Sequence, residues 1–202
     1  MFNYVSLKLE QWLDQTPTEV SISQRFLAYI IDFFLGALLT NLPVALIWLF
    51  YTKDVDGVKS ATVVNIYYEI SKNASYIAFI LAFFASIFYY IIIPLKNEGQ
   101  TPGKKFAKTK MVKIDGEKVG IKELLLRQFI GIIIIQGLFY NISTIMRWMF
   151  SLVTNINITG VGLYFSIITS IISLVMLVTS KSRRMLHDYI AKTKVINIRE
   201  GK

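Results

Sequence analysis

Two charged residues stand in a long apolar stretch of the chain that runs from Arg25 to Tyr51. Arg25 opens this stretch, and Asp32 lies about two helical turns further on. A helix of about 20 apolar residues spans the roughly 30 Å hydrocarbon core of a bilayer, and a carboxylate inside it costs about 2.5–3.5 kcal/mol on insertion scales. We therefore expect Asp32 to have a partner, a cavity or a proton, and to serve either as a site for a monovalent cation or proton or as half of a structural ion pair.

Two further charged residues are candidate partners, namely Arg127 near the entry of a later apolar segment and Asp188 in the C-terminal tail. Arg25 and Asp32 share a helical face, but helical side chains lean toward the helix N-terminus, which directs Arg25 away from Asp32. Asp188 follows the last apolar run and is placed at the level of Arg25, while Arg127 is placed at a depth similar to that of Asp32. The sequence predicts an Arg25–Asp188 pair and an Arg127–Asp32 pair. Such pairs either fix helix packing or take part in transport.

The chain offers little for catalysis or metal binding. It has one histidine, His187, and no cysteine, whereas zinc sites need three or four nitrogen, sulfur or oxygen ligands. The run GQTPGKK from Gly99 to Lys105 is similar to a phosphate-binding loop, but three residues separate its glycines where the motif has four, and Lys105 stands where the motif has Ser or Thr. We predict a turn whose lysines face lipid headgroups, and no enzyme activity, metal or cofactor.

Apolar residues make up 54% of the 202 residues and are concentrated in long runs, which indicates a membrane protein. The fold class predicted is an all-α polytopic membrane protein with a small cytosolic β-hairpin element. Its four transmembrane helices are expected at about residues 26–51, 76–95, 127–150 and 161–180. We assign residues 1–22 to an N-terminal cytosolic tail, 23–198 to the transmembrane domain and 199–202 to the C-terminal end.

The distribution of basic residues predicts the orientation. With four spans, all but four of the 22 lysines and arginines fall on the side that holds both termini. The positive-inside rule therefore places both termini in the cytosol. The net charge of +9 then has a topological explanation, so we expect anionic lipid headgroups, and no nucleic acid, as partners of the basic loops.

Two short segments outside the spans favour β-structure. The run TKMVKIDGEKV alternates polar and apolar residues around Asp115-Gly116, which is a strong signal for a hairpin turn. Residues Thr193 to Ile198 also alternate, and a lone two-stranded hairpin is only marginally stable. We predict that the tail strand pairs with Thr109 to Ile114 and holds Asp188 near Arg25.

Small residues recur along the last apolar run, where Gly162, Ser166, Ser170 and Ser173 share one helical face. This pattern is typical of a surface on which another membrane helix packs closely. Inside the third predicted span, Gln136 and Asn141 introduce polar side chains, which either bond across helices or line a polar cavity with Asp32. The sequence leaves both roles open.

The chain resembles the RDD proteins, small bacterial membrane proteins named for one arginine and two aspartates. The matching residues are Arg25 at the start of the first span, Asp32 within it, and Asp188 in the tripeptide LHD after the last span. The family's usual order of segments is also matched by three further features: GQTPGKK, the strand-like KMVKIDG and Arg127. The resemblance extends from about residue 23 to residue 198. One departure is Lys192, where the family more often has glycine.

The resemblance implies a multi-pass protein of a bacterial inner membrane, for which ligand transport has been suggested. Cation/proton antiport has been attributed to some family members, and this makes Asp32 the expected site for a monovalent cation or proton. A transporter of four helices encloses little pathway alone, so we expect a homo-oligomer. The alternative is a non-transporting membrane scaffold or accessory module that binds a protein partner or anionic lipid through its basic cytosolic face.

Overall fold

Three helices of the computed structural model are long and apolar enough to cross a membrane: Ile22–Thr52, Lys72–Lys96 and Thr159–Thr179. The structure describes residues 13–138 and 140–198, so most of the predicted N-terminal tail and the end at 199–202 lie outside the described residues. These three helices coincide with the first, second and fourth predicted spans. The protein is therefore a multi-pass membrane protein, as its composition predicts.

The first membrane helix, α1 (Ile22–Thr52), buries a narrow stripe of mostly small and polar residues. Ser21 caps its start, because the Ser21 hydroxyl accepts a bond from Gln24 N–H and the Gln24 side chain accepts one from Ser21 N–H, each at 3.0 Å. The buried residues recur at every fourth position: Ala28, Asp32, Gly36, Thr40, Val44 and Trp48. Large apolar side chains such as Phe34, 66% exposed, point outward, as expected for a helix whose outer face meets lipid.

The second membrane helix follows a short connection that contains α2 (Val63–Asn65), a 3₁₀ turn at Asp56–Ser60 and a π-helical turn at Ile66–Ile70. It comprises α3 (Lys72–Ile87), a π-helical segment (Phe88–Ile92) and α4 (Ile93–Lys96). The wider π turn places two consecutive tyrosines, Tyr89 and Tyr90, in buried positions beside α1. Both tyrosines bond to Asp32, so this irregularity serves the site described below.

A two-stranded antiparallel sheet covers one end of the helices. It pairs β1 (Thr109–Lys113) with β2 (Thr193–Asn197), and Met111 lies opposite Val195. The predicted pairing of the C-terminal tail with this segment is confirmed. On the other edge of β1, the predicted hairpin is reduced to a turn and a single bridge between Val112 and Lys118, since further along this edge Met111 N–H donates to the Gly99 carbonyl at 3.0 Å. We call this end of the molecule the sheet end, and the opposite end, which holds residues 53–71, the loop end.

The third predicted span is not one helix, so the prediction of a continuous helix over 127–150 is wrong. The chain forms α6 (Ile121–Leu124) and a π-helical segment (Leu125–Ile135), leaves helical geometry at 136–138, and resumes as α7 (Asn141–Thr154). We call residues 136–138 the helix break. It lies beside the first membrane helix, away from both ends, since the nearby Asn141 Nδ2 donates to Asn41 Oδ1 within α1 at 2.5 Å.

Side chains of the two helices that follow the helix break satisfy its backbone carbonyl groups. The Ser170 hydroxyl of α8 (Thr159–Thr179) donates to the Gln136 carbonyl at 3.1 Å, and the Thr169 hydroxyl lies 2.8 Å from the Ile135 carbonyl oxygen. Arg147 Nη2 donates to the Gly137 carbonyl at 3.4 Å. A membrane core offers no water to free carbonyls, so these bonds permit the break at this depth. The small-residue face predicted on the last span packs against this broken segment.

Candidate functional site

Asp188 is the centre of a buried ion cluster at the sheet end. Arg25 Nη1 donates to Asp188 Oδ2 at 3.0 Å, and Arg127 Nη1 contacts Asp188 Oδ1. The side chains of Arg25 and Arg127 are 7% and 4% exposed, and that of Asp188 is fully buried. The predicted Arg25–Asp188 pair is therefore present.

The predicted Arg127–Asp32 pair is wrong, because Arg127 faces Asp188. The reason is the path of the C-terminal segment. After α8 the chain turns back and forms a short helix, α9 (Leu186–Ile190), which returns deep enough for Leu186 N–H to donate to the Ser173 hydroxyl at 3.1 Å. Asp188 therefore lies at the level of Arg127. An estimate of depth that assumes straight helices does not predict this position, because it leaves out the return of the chain.

Two local features fix α9 in this position. The carboxylate of Asp188 accepts a bond from Met185 N–H at 3.0 Å and so caps its own helix. Gly131 in the π-helical segment allows the close approach, because a Cβ at Gly131 would lie 2.7 Å from the Cβ of His187. The tripeptide LHD therefore carries both the cap and the ion-pair partner.

His187 links the ion cluster to the helix break. Its Nε2 lies 3.1 Å from Arg127 Nη2, and its Nδ1 lies 2.6 Å from Gln136 Oε1. Arginine is always a donor, so Nε2 must be the acceptor and Nδ1–H the donor, which defines a neutral imidazole. Burial, together with the positive charges of Arg127, Arg25 and Lys104, lowers the pKa of His187 to about 3, although the charge of Asp188 acts in the opposite direction.

Asp32 has a different partner from the one predicted. Its Oδ1 accepts bonds from the Tyr89 hydroxyl at 2.8 Å and from Gly103 N–H at 2.9 Å. Its Oδ2 accepts a bond from the Thr101 hydroxyl at 2.5 Å and lies 3.5 Å from the ammonium nitrogen of Lys104. Asp32 is 3% exposed, so this carboxylate is almost fully enclosed by donors.

The loop GQTPGKK supplies three of these donors. It forms a short helix, α5 (Pro102–Phe106), with Thr101 as its N-cap, and the start of this helix lies against α1. A Cβ at Gly103 would lie 2.2 Å from the Ala28 carbonyl oxygen, so only glycine permits the contact. The predicted turn is present, but Lys104 does not face headgroups: its side chain is 15% exposed and turned toward Asp32. Burial lowers the pKa of Lys104, and the charge of Asp32 opposes this shift only in part.

A cavity of about 70 Å³ lies among these charged residues, and Asp32, Lys104, Arg25, Arg127 and His187 all line it. A cavity needs roughly 10–15 Å³ to hold one water molecule, so this one has room for several water molecules or for a small ion. The site combines a carboxylate, an ammonium group and two guanidinium groups around one partly open cavity, which suits ion or proton handling.

Sequence reasoning missed four residues of this site: Lys104, Thr101, Tyr89 and the pairing role of His187. The signal for Lys104 and Thr101 was present in GQTPGKK, where Thr-Pro marks a helix start whose free amides attract a carboxylate. Tyr89 reaches Asp32 because it lies in the π-helical turn. No pattern in the sequence predicts this turn.

These features define a multi-pass membrane protein with a buried charge network beneath a small β-sheet. The model of the RDD family matches residues 20–192, and the chain belongs to the RDD family. No curated protein and no solved structure shows significant similarity to the chain.

Proposed function

We propose that this chain is an ion-handling transporter that exchanges a monovalent cation for a proton at Asp32. The observation that carries the proposal is the buried Lys104–Asp32 pair beside the cavity, with 3.5 Å between Lys104 Nζ and Asp32 Oδ2. A monovalent cation and the Lys104 ammonium compete for the same carboxylate oxygen. When a cation binds, Lys104 releases one proton, so the total charge of the site stays the same.

The groups around Asp32 fit both states of this exchange. The hydroxyl oxygens of Tyr89 and Thr101 lie within hydrogen-bond distance of the carboxylate and are the hard oxygen ligands that alkali cations prefer. The lowered pKa of Lys104 makes loss of its proton less costly than it is in water. Among the described residues, the Lys104 ammonium is the one cation at the carboxylate of Asp32, so Lys104 is the group that exchanges with the bound cation.

We infer four membrane crossings, the third of which is the broken helix. The N-terminal segment and the end of α8 meet at the sheet end, where the Ser180 hydroxyl donates to the Asp14 carbonyl at 3.3 Å. In α7, Met149 Sδ lies 3.7 Å from the Ser75 hydroxyl at the start of α3, which places the end of α7 toward the loop end. The broken segment then crosses from the sheet end to the loop end, and α8 crosses back to the sheet end. Lysines concentrate at the sheet end, which supports a cytosolic position for both termini in a bacterial inner membrane.

The helix break supports a route from the cavity toward the loop end. Tyr140, which follows the break, lines the cavity, and Gln136 within the break bonds to His187 on its wall. Discontinuous helices near the middle of a membrane are a recurrent feature of ion and substrate sites in transporters. A homo-oligomer would enclose the outer part of this route.

A proteoliposome assay tests the proposal. Vesicles that contain the protein and carry a pH gradient receive Na⁺, K⁺ or Li⁺, and the collapse of the gradient is followed with a pH-sensitive dye. Wild-type protein should give a cation-dependent signal, and Asp32→Asn should abolish it while the variant still inserts and folds. A signal unchanged in Asp32→Asn removes Asp32 as the site, and no signal from folded wild-type protein contradicts the transport function.

A second candidate function, a non-transporting scaffold, is favoured by a different observation. Asp32 binds Tyr89, Thr101 and Gly103 together and so fastens α5 to α1, as a purely structural clamp would. Next to this clamp, Phe106 is 68% exposed and lies between Lys105 and Lys108 in the sequence, a composition suited to an anionic lipid surface. Under this function, Asp32→Asn lowers the thermal stability of the protein and leaves no transport activity to lose.

A further inference from the structure

Two buried arginines keep N–H groups that find no acceptor among the described residues. Arg25 donates through Nη1 to Asp188, but its Nε and Nη2 have no hydrogen-bond partner. Arg127 donates through Nη1 and Nη2, and its Nε has none. Both side chains are more than nine-tenths buried and line the cavity. A buried donor without an acceptor is costly, and more so when it is charged, so three such donors at one site indicate a missing acceptor.

The free edge of Arg25 has a defined shape. Nε and Nη2 carry two parallel N–H bonds on one side of the planar guanidinium, and this pair matches two oxygens of a phosphate or carboxylate group. A halide accepts from both donors only at a single point and gains less from this edge. The geometry therefore favours an oxyanion.

The charges around the cavity favour the same occupant. Three cations, Arg25, Arg127 and Lys104, face two carboxylates, Asp32 and Asp188. An excess of one positive charge remains in a region of low dielectric. An anion beside Arg25 and Arg127 neutralises this excess, whereas a second cation there would increase it.

The neutral state of His187 leaves this balance unchanged, because its Nε2 accepts from Arg127 and its Nδ1 donates to Gln136. The volume of about 70 Å³ accommodates a group of five heavy atoms such as phosphate.

We propose that the cavity binds a small oxyanion of the phosphate class between Arg25 and Arg127. The phosphate comes either from solution or from the headgroup of an anionic lipid, since Arg25 stands at the start of the first membrane helix. The oxyanion contacts the guanidinium groups of Arg25 and Arg127, whereas the exchanged cation contacts the carboxylate of Asp32, so this proposal does not depend on the exchange function.

Thermal unfolding of the purified protein in detergent tests the site, with inorganic phosphate titrated against chloride at constant ionic strength. Phosphate should raise the Tm of wild-type protein by several degrees and in a saturable manner. Arg25→Lys keeps the charge beside Asp188 but loses the two-point edge, and it should lose the phosphate effect. Arg147→Lys, an arginine of α7 that does not line the cavity, is the matched control and should retain the effect. Asp32→Asn should also retain it, which separates this site from the exchange site.

Equilibrium dialysis of radiolabelled phosphate against wild-type protein keeps the test independent of variant folding. Binding should be competed by sulfate and not by chloride. If the phosphate comes from a lipid, native mass spectrometry should show one phosphatidic acid molecule retained by wild-type protein and not by Arg25→Lys. In that case inorganic phosphate should raise the Tm of wild-type protein only after the lipid has been removed. The proposal is overturned if neither phosphate nor phosphatidic acid binds saturably, or if Arg25→Lys binds either one as wild-type protein does.

Discussion

Arg25 Nη1 donates to Asp188 Oδ2 at 3.0 Å, and this bond joins residues that are 163 positions apart in the chain. It ties the start of the first membrane helix to the short helix that follows the last one. Arg127 from the broken third segment contacts the same carboxylate, so one buried aspartate fastens three separate parts of the fold. Stability and site geometry therefore depend on the same residue.

Replacement of Asp188 by Asn should be among the most destabilising single substitutions in this protein. It leaves two buried arginines without a counter-charge, and breaking a buried pair costs about 3–5 kcal/mol. The measurement is the Tm and the yield of folded protein in detergent. Asp14→Asn is the matched control, because the Asp14 side chain is 29% exposed in its pair with Arg184, so water reaches the site and the loss should be smaller than at fully buried Asp188. Equal losses in the two variants would show that Asp188 is not the central fastening residue.

The stability of the protein should fall as the pH is lowered from about 6.5 toward 3, because of His187. Its pKa is lowered by burial from 6.5 to about 3 in the folded protein, so only the unfolded chain takes up the proton in this interval. The pKa of Asp188 is also lowered, since Arg127 and Arg25 outweigh its burial, but its contribution is lost only below about pH 5. The interval from pH 6.5 to about 5 therefore reports mainly on the histidine.

The check is the Tm of wild-type protein and of His187→Asn measured from pH 7 to about pH 5. Wild-type Tm should decline across the interval, and the decline should be smaller in His187→Asn. A Tm that rises as the pH falls would mean that His187 is protonated in the folded protein, paired with Asp188 at 3.8 Å in place of Arg127.

The helix break should depend on the hydroxyl of Ser170. Ser170→Ala leaves the Gln136 carbonyl without its donor, and an unsatisfied buried group costs about 1–3 kcal/mol. Ser86→Ala is the control, because the buried Ser86 hydroxyl donates to the Phe83 carbonyl within its own helix at 2.7 Å. Thermal unfolding should show a clear loss for Ser170→Ala and a small one for Ser86→Ala. The reverse order would mean that the broken segment does not rely on α8.

Much of the fold follows from local pattern. Three membrane helices, the Asp115-Gly116 turn and the tail strand are marked by apolar runs or by alternation, which depend on neighbouring residues only. The broken helix is different, because its carbonyls are satisfied by Thr169 and Ser170, which come later in the chain. Isoleucine-rich sequence at 130–135 gives no sign of the break that follows.

The candidate site was predictable to a similar extent. Arg25 and Asp188 could be paired from their depth, since both lie near helix ends. Depth along straight helices predicts an Arg127–Asp32 pair. The structure pairs Arg127 with Asp188, because α9 returns toward the helix break. Lys104 was placed among headgroup lysines, because the sequence does not show that Gly103 lets its loop lie against α1.

The topology can be tested with single cysteines, since the chain contains no native cysteine. Lys59→Cys and Asn157→Cys should react with an impermeant maleimide in intact cells, whereas Lys118→Cys should react only after permeabilisation. All three positions are exposed, so access depends on the side of the membrane alone. Labelling of Lys59→Cys on one side and Asn157→Cys on the other would leave three crossings and remove the broken helix as the third of four.

Competition between Lys104 and a cation for Asp32 is the central claim, and proton release measures it most directly. Weakly buffered, detergent-solubilised protein is titrated with NaCl, with choline chloride as the control, while a pH indicator and calorimetry record released protons and bound Na⁺. Wild-type protein should release close to one proton for each Na⁺ bound. Lys104→Gln should bind Na⁺ without releasing a proton, and Asp32→Asn should bind none. Na⁺ binding by wild-type protein without proton release, or equal release from Lys104→Gln, would contradict the account.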